Sequence, residues 1–257
     1  MLDFKSVLEA FPENEQPFKR HLLREFLQHQ ILDIIYRTTE GKKLVFLGGT
    51  ALRIIHKNIR FSEDIDFDNR GLTQEDFAAL SDQIEKALQL EGYTVEMKQV
   101  YKGAYHCYIR FPELLYTQHL SPLKQEKILI QLDTEPQDFE YTPDRFLLRK
   151  FNFFRQILTV PIDILLSQKI AALLGRKRSK GRDYFDVTFL FSKTQPNFRY
   201  LSEKLEINTI SDLKMRLMKN VENVDLKHLA DDVQPFLIHQ NQIDRVLLFE
   251  SFVESLD

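Results

Sequence analysis

Residues 46–68 read FLGGTALRIIHKNIRFSEDIDFD and change character twice within one short span. Phe46 and Leu47 close an apolar run that suits a buried strand. Gly48, Gly49 and Thr50 then open a helical segment, TALRIIHK. From Arg60 the chain turns extended again, and Asp64, Asp66 and Asp68 alternate with Ile65 and Phe67. An extended chain puts those three carboxylates on one face, where like charges repel and Asp is poorly suited to a strand. A Gly-Gly pair alone is commonly a turn, and a lone Asp-x-Asp is commonly a solvated edge strand. Together they have a shared logic. Adjacent glycines let the backbone approach a bulky anion, and amides at a helix start favour phosphate. Two acids at i, i+2 form an oxygen-only site for a hard divalent cation such as Mg²⁺, and such a cation relieves the repulsion. The unit points to nucleotide phosphates held between glycine amides and metal.

Outward from this stretch, residues 17–37 carry Leu22, Leu23, Phe26, Leu27, Ile31, Ile34 and Ile35 at helical spacing. TQEDFAALSDQIEKALQLEG predicts a second long helix, capped at Thr73 and stopped at Gly92. YTVEMKQV, AYHCYIRF and EKILIQLDT follow as strand-like runs. Strand, helix, strand, helix and three strands imply an α/β (α+β) fold, a mixed sheet flanked by helices. Beyond about residue 159, PIDILLSQKIAALLGRK, GRDYFDVTFLFSK, ISDLKMRLMKNV, DLKHLADDV and QIDRVLLFESFVESL all predict helices. The expected boundary lies near residue 155, with an α/β domain over 1–155 and a helical domain over 156–257 that completes the cleft.

The 257 residues are 43% hydrophobic and 28% charged, the balance of an ordinary globular protein with a substantial core. A net charge of −3 does not mark the whole chain as a nucleic-acid binder, so such binding must come from local basic patches or bound cations. The single cysteine, Cys107, excludes an internal disulfide framework and suits a reducing compartment. No membrane-length apolar run and no signal-peptide pattern is present, so a cytoplasmic location is expected. His21, His29, His56, His106, His119, His228 and His239 show no metal-ligand spacing and predict no site. Neither a serine-hydrolase elbow nor a P-loop is found.

GGTALR, RFSEDIDF and QKIAALLGRKRSKGRDYFDV, in that order over residues 44–190, resemble the AbiEii/AbiGii toxin family of nucleotidyltransferases. That family belongs to the DNA-polymerase-β-like superfamily and supplies the toxin halves of bacterial toxin–antitoxin and phage-defence systems. The resemblance implies that Gly48 and Gly49 contact the triphosphate and that Thr50 bonds a phosphate oxygen. It implies Asp64 and Asp66 as metal-binding catalytic acids, with Ser62 as a further site residue. Arg60 can neutralise phosphate. The superfamily's third carboxylate, which can also assist deprotonation of the attacking hydroxyl, matches Asp133; the plainer reading of Asp133 is an acid that ends a strand.

Lys169 lies among Leu165, Leu166, Ala172 and Leu173 on one helical stripe, so it must snorkel or meet a partner. The family's KxxA-like lysine implies a reach to phosphate across the cleft. Asp183 and Asp186 share a helix face, and Arg182 and Asp186 have salt-bridge spacing. The family's RDxxD motif implies Asp183 in catalysis, Asp186 in support and Arg182 in nucleotide binding. Arg176, Lys177, Arg178, Lys180 and Arg182 form a basic loop that is either a solvated charge run or a contact for triphosphate or RNA. Arg149, Lys150 and Arg155 can extend that surface, whereas Phe151, Phe153 and Phe154 are expected in the core. The implied activity is Mg²⁺-dependent transfer of a nucleotidyl group from an NTP, using one or two ions, to an RNA acceptor such as the 3′ end of tRNA, with an antitoxin protein as partner. A small-molecule nucleotidyltransferase and a nucleotide-binding module without transfer are the alternatives.

Overall fold

Alternating apolar and polar residues in the first part of the chain build a seven-stranded mixed sheet, seen in a computed structural model that describes residues 3–257. Helices α1 (Phe4–Glu9) and α2 (Lys19–Ile35) precede strand β1 (Leu44–Leu47). Helix α3 (Gly48–Ile54), β2 (Ile65–Asn69) and α4 (Gln74–Leu90) follow. Then come β3 (Glu96–Lys102), β4 (Ala104–Phe111), α5 (Leu114–Thr117) and β5 (Ile128–Glu135). A hairpin of β6 (Asp144–Lys150) and β7 (Phe153–Thr159) ends the sheet, whose order is β3-β4-β5-β2-β1-β7-β6. Strand β2 runs antiparallel to β1 and parallel to β5.

The chain divides into two compact units, Met1–Lys57 with Phe61–Thr159, and Asn58–Arg60 with Val160–Asp257. Residue 155, where the sequence places its boundary, lies inside β7. The second unit is helical: α6 (Ile162–Gly175), α7 (Gly181–Phe191), α8 (Phe198–Leu205), α9 (Ile210–Val221), α10 (Leu226–Val233), α11 (Asp244–Leu247) and α12 (Phe249–Glu254). Tyr184, Phe185, Leu201, Leu213, Leu217, Val233 and Phe249 are buried in it.

In the first unit Phe46, Ile65, Phe67, Leu132 and Ile157 carry the sheet's share of the core, against Leu27, Ile31 and Ile35 of α2 and Phe77, Leu80 and Ile84 of α4. Thr73 and Asp76 form the capping box that starts α4. Helix α2 is less simply amphipathic than its leucines suggest, because Glu25, Gln28, His29, Gln30 and Asp33 are buried too. Burial of polar groups is tolerated only when they are bonded. Glu25 accepts from Arg53 at 2.9 Å and Lys150 at 3.0 Å, and Asp33 accepts from Arg155 at 3.1 Å. Lys150 and Arg155 are therefore tied to α2 by ion pairs.

Burial lowers the pKa of His29 to about 4, while the ordinary histidine value is 6.5. Between those values the unfolded chain binds the extra proton, so stability falls as pH drops from about 6.5 to 4. At about 1.36 kcal/mol per unit the loss is on the order of 3 kcal/mol from this residue. Urea melts at pH 7 and pH 5 should show it, and His29→Leu should flatten the difference.

Three elements depart from the sequence expectation. The β6–β7 hairpin goes unrecognised because one face of it is exposed and carries Arg145, Arg149 and Phe154, which mask the period-two pattern. Phe154, expected in the core, is 71% exposed because it stands on that outer face opposite Arg149. The single helix expected near the C-terminus is broken into a 3₁₀ turn at Gln240–Ile243, α11 and α12. Helix α8, capped by Asn197, is an added element.

Candidate active site

The acids at Asp64 and Asp66 are presented by backbone that is fixed from three sides. The strand proper begins at Ile65, so Asp64 sits on the segment that enters it. Gln28 of α2 donates its amide to the carbonyls of Ser62 at 3.1 Å and Glu63 at 2.9 Å. The Thr50 hydroxyl, fully buried, donates to the carbonyl of Asp64. Three consecutive carbonyls are thus tied down just before the acidic pair. Thr50 spends its hydroxyl proton on this backbone, which positions Asp64. Ser62 is half-buried at the same turn. Gln28 escaped the sequence reading because its partners lie 34 and 35 residues along the chain.

Gly48 explains why a glycine must precede α3. Its φ is +79°, and a Cβ there would lie 2.1 Å from Oδ2 of Asp66 and 2.8 Å from its Cγ. Leu47 pairs in register with Asp66 across β1 and β2, which brings the carboxylate against the Gly48 backbone. Gly49 is buried in the first turn of α3. Asp68 has a different fate from its two neighbours. It is buried and accepts from the Gln137 amide at 3.0 Å, Tyr141 Oη at 2.6 Å and Arg70 Nε at 3.3 Å. It anchors the loop before β6.

Asp133 is the register partner of Asp66 in the parallel β2–β5 pair. Both are half-buried and alternate with buried Ile65, Phe67, Leu132 and Thr134, so they share the face opposite the core. His106 is the register partner of Asp133 in β4, and its Nδ1 lies 2.7 Å from Asp133 Oδ1. The sequence predicted no site for any histidine; pairing of β4 with β5 brings this one beside the acids. Among the described residues no three His, Cys, Asp or Glu side chains are grouped ready for a metal ion. Asp64 and Asp66 offer an all-oxygen pair rather than a closed cage. That donor set fits a hard ion whose remaining ligands are water and substrate phosphates.

In the second unit, Lys169 meets partners and does not snorkel. Its Nζ lies 2.8 Å from Asp186 Oδ2 and 3.4 Å from Asp183 Oδ1. Burial alone would lower the lysine's pKa, but Asp186 and Asp183 more than offset it and the value is raised. Asp186 is the hub of this cluster. Arg60 grips it with Nε at 2.7 Å and a terminal nitrogen at 2.6 Å, and Asn58 donates at 2.9 Å. Burial would raise Asp186, yet Arg60 and Lys169 hold its carboxyl down at about 2. Arg60 is 2% exposed, and its grip on Asp186 ties it into this cluster. Arg182 does not pair with Asp186 as its spacing suggested; its guanidinium stands 5.1 Å over the Phe236 ring. Asp183 also meets Arg176 Nε at 2.8 Å. Arg176, Lys177, Arg178 and Lys180 are exposed on the loop between α6 and α7. Gly181 lets α7 start against α10, where a Cβ would lie 1.8 Å from the Leu229 carbonyl oxygen and the Gly181 amide donates to Asp232 at 2.9 Å.

Among the described residues no helix is long and apolar enough to cross a membrane. Solved structures share the fold, among them two from Helicobacter pylori. JHP933 from Helicobacter pylori aligns over 91% of this chain and 90% of its own, with a TM-score of 0.55 and 18% identity. A second H. pylori protein, provisionally described as a nucleotidyltransferase, aligns over 90% and 97%, with a TM-score of 0.51 and 18% identity. No curated protein matches the chain significantly. The family model for the nucleotidyl transferase AbiEii toxin of type IV toxin–antitoxin systems matches residues 30–252. That span holds the glycine pair, the acidic strand, Lys169 and the Asp183–Asp186 helix, and the chain belongs to this family of nucleotidyltransferase toxins.

Proposed function

We propose that the protein transfers the nucleotidyl group of an NTP to a hydroxyl of an RNA acceptor, the 3′ end of tRNA in the first instance, in a Mg²⁺-dependent reaction. The observation that carries this reading is the packing of the Asp66 carboxylate against the Gly48 backbone, which joins the acidic pair to the glycine pair in one place. Asp64 and Asp66 hold the metal, with Asp133 as the third acid beside them. A divalent ion bound there supplies charge stabilisation to the phosphoryl group and alignment of the reacting oxygens. Gly48 and Gly49 receive the triphosphate through backbone amides, supported by Ser62. Lys169 and Asp183 serve the nucleotide, Asp186 and Arg60 hold Lys169 in place, and Arg182 and the exposed cations of the 176–180 loop contact phosphates of the NTP or RNA. The acceptor oxygen attacks the α-phosphate, its proton is taken up at the acidic site, and pyrophosphate leaves. The partner protein is the antitoxin of the system.

Radiolabelled NTPs incubated with tRNA and Mg²⁺ test the proposal. Label is expected in RNA, lost with EDTA, and reduced at least about 100-fold by Asp64→Ala with Asp66→Ala, the scale of losing a major electrostatic contributor. Undiminished transfer by that double variant would sink the metal site. Label in small molecules and never in RNA would select an antibiotic-type acceptor instead.

A further inference from the structure

Across β2, β5 and β4 the register sets Asp66, Asp133 and His106 in one row on the face opposite the core. Adjacent strands lie about 4.8 Å apart, so Asp66 and Asp133 are like charges on neighbouring strands and repel unless donors or a cation intervene. The donors are present for Asp133. His106 Nδ1 lies 2.7 Å from Oδ1, and in the tautomer with the proton on Nδ1 it donates to the carboxylate. Gln131, two residues back on the same face of β5, donates its amide to Oδ1 at 2.9 Å and Oδ2 at 3.0 Å. Buried Leu132 and Thr134 anchor the strand on either side, so the carboxylate is fixed in both position and rotation.

We propose that His106 is a positioning residue for nucleotidyl transfer: together with Gln131 it holds the Asp133 carboxylate beside Asp66, as the third acid facing the divalent ion and nucleotide. The inference rests on the metal-dependent reading above. A purely structural role accounts poorly for the arrangement. The His106 and Asp133 side chains are 26% and 28% exposed, and ion pairs so open to water contribute little to stability. Carboxylates that ligate metals are, in contrast, regularly oriented by hydrogen bonds from a surrounding shell. An ionised carboxylate has about four acceptor sites, and the three bonds seen here leave one on Oδ2 for a further partner.

The test is Mn²⁺ binding to the full chain, followed by paramagnetic resonance with a non-hydrolysable NTP present, alongside transfer kinetics. Asparagine places an N–H near the position of Nδ1, glutamine places one near Nε2, and alanine supplies neither. His106→Ala and His106→Gln are expected to weaken Mn²⁺ binding and lower kcat about 10-fold, whereas His106→Asn stays within about 3-fold of wild type. Gln131→Leu should weaken Mn²⁺ in the same direction. His106→Ala with unchanged Mn²⁺ affinity overturns the proposal, and so does His106→Asn being as damaging as His106→Ala. Asp64→Asn and Asp66→Asn separate the two levels. If they abolish Mn²⁺ binding while His106→Ala does not, only the positioning role fails. If they leave it intact, the metal site itself fails.

Discussion

Asp186→Ala is expected to lower folding stability by about 3–5 kcal/mol, the cost of leaving buried charges without their partner. Arg60, 2% exposed, and Lys169, with 15% of its side chain exposed, both rely on this carboxylate, and Asn58 donates to it as well. Removing it takes from buried Arg60 the carboxylate its fork grips and from Lys169 the nearer of its two carboxylates. Asp183→Ala should cost less, because its contacts are a longer one to Lys169 at 3.4 Å and one to Arg176, which is 42% exposed. Urea denaturation of the two variants at neutral pH checks the ranking, and equal midpoints would contradict the hub assignment. Acid titration gives a second reading. The Asp186 carboxyl stays ionised down to about 2, whereas an ordinary aspartate takes its proton near 3.8. Its contribution is therefore complete above about pH 4 and is lost as pH falls toward 2. Lys169 has the opposite sense: its raised pKa contributes fully below the ordinary lysine value and is lost only as pH rises through the raised one.

Gly48→Ala should remove activity and lower stability by more than strain alone would. The new methyl would meet Asp66 Oδ2 at 2.1 Å, so either the carboxylate or the backbone must move. Left-handed backbone adds about 1–2 kcal/mol for an L-residue, and overpacking adds about 1–3 kcal/mol. A shift of about 1 Å in a reacting group is enough for a loss on the order of 100-fold in rate. Gly71→Ala is the control, since Gly71 also has positive φ, +86°, but no atom lies within 4 Å of its Cβ position. That variant pays the backbone strain without touching an acid. Transfer assays and melts on the pair separate strain from displacement, and equal activity in the two would remove Asp66 from the explanation.

Much of this was legible in the chain itself. Thr73 and Asp76 announce the start of α4, and the apolar stripe of α2 gives its length, because caps and helical spacing are local. Asp64 and Asp66 were found as a pair because strand alternation puts i and i+2 on one face. Arg60 and Thr50 were found without the protein partners that hold them. Both lie in the motif, but burial directs the arginine to Asp186 and the hydroxyl to the Asp64 carbonyl. His106 left a faint trace. In AYHCYIRF it alternates with Cys107 and Ile109, which marks it as facing away from the core, yet nothing local says that Asp133 lies opposite.

The sequence by itself determined the order of elements from β1 to β5, the glycine pair and the acidic pair to which the chemistry is proposed to belong. Each of these depends on residues close along the chain, where spacing and conformational preference act directly. Tertiary structure alone decided which polar side chains are spent on one another. Strand register brought Asp133 to Asp66 and His106 to Asp133, and burial forced Asp186 to collect Arg60 and Lys169. Register and burial are properties of elements packed together, set by shared exclusion of water from distant parts of the chain, and no short stretch encodes them.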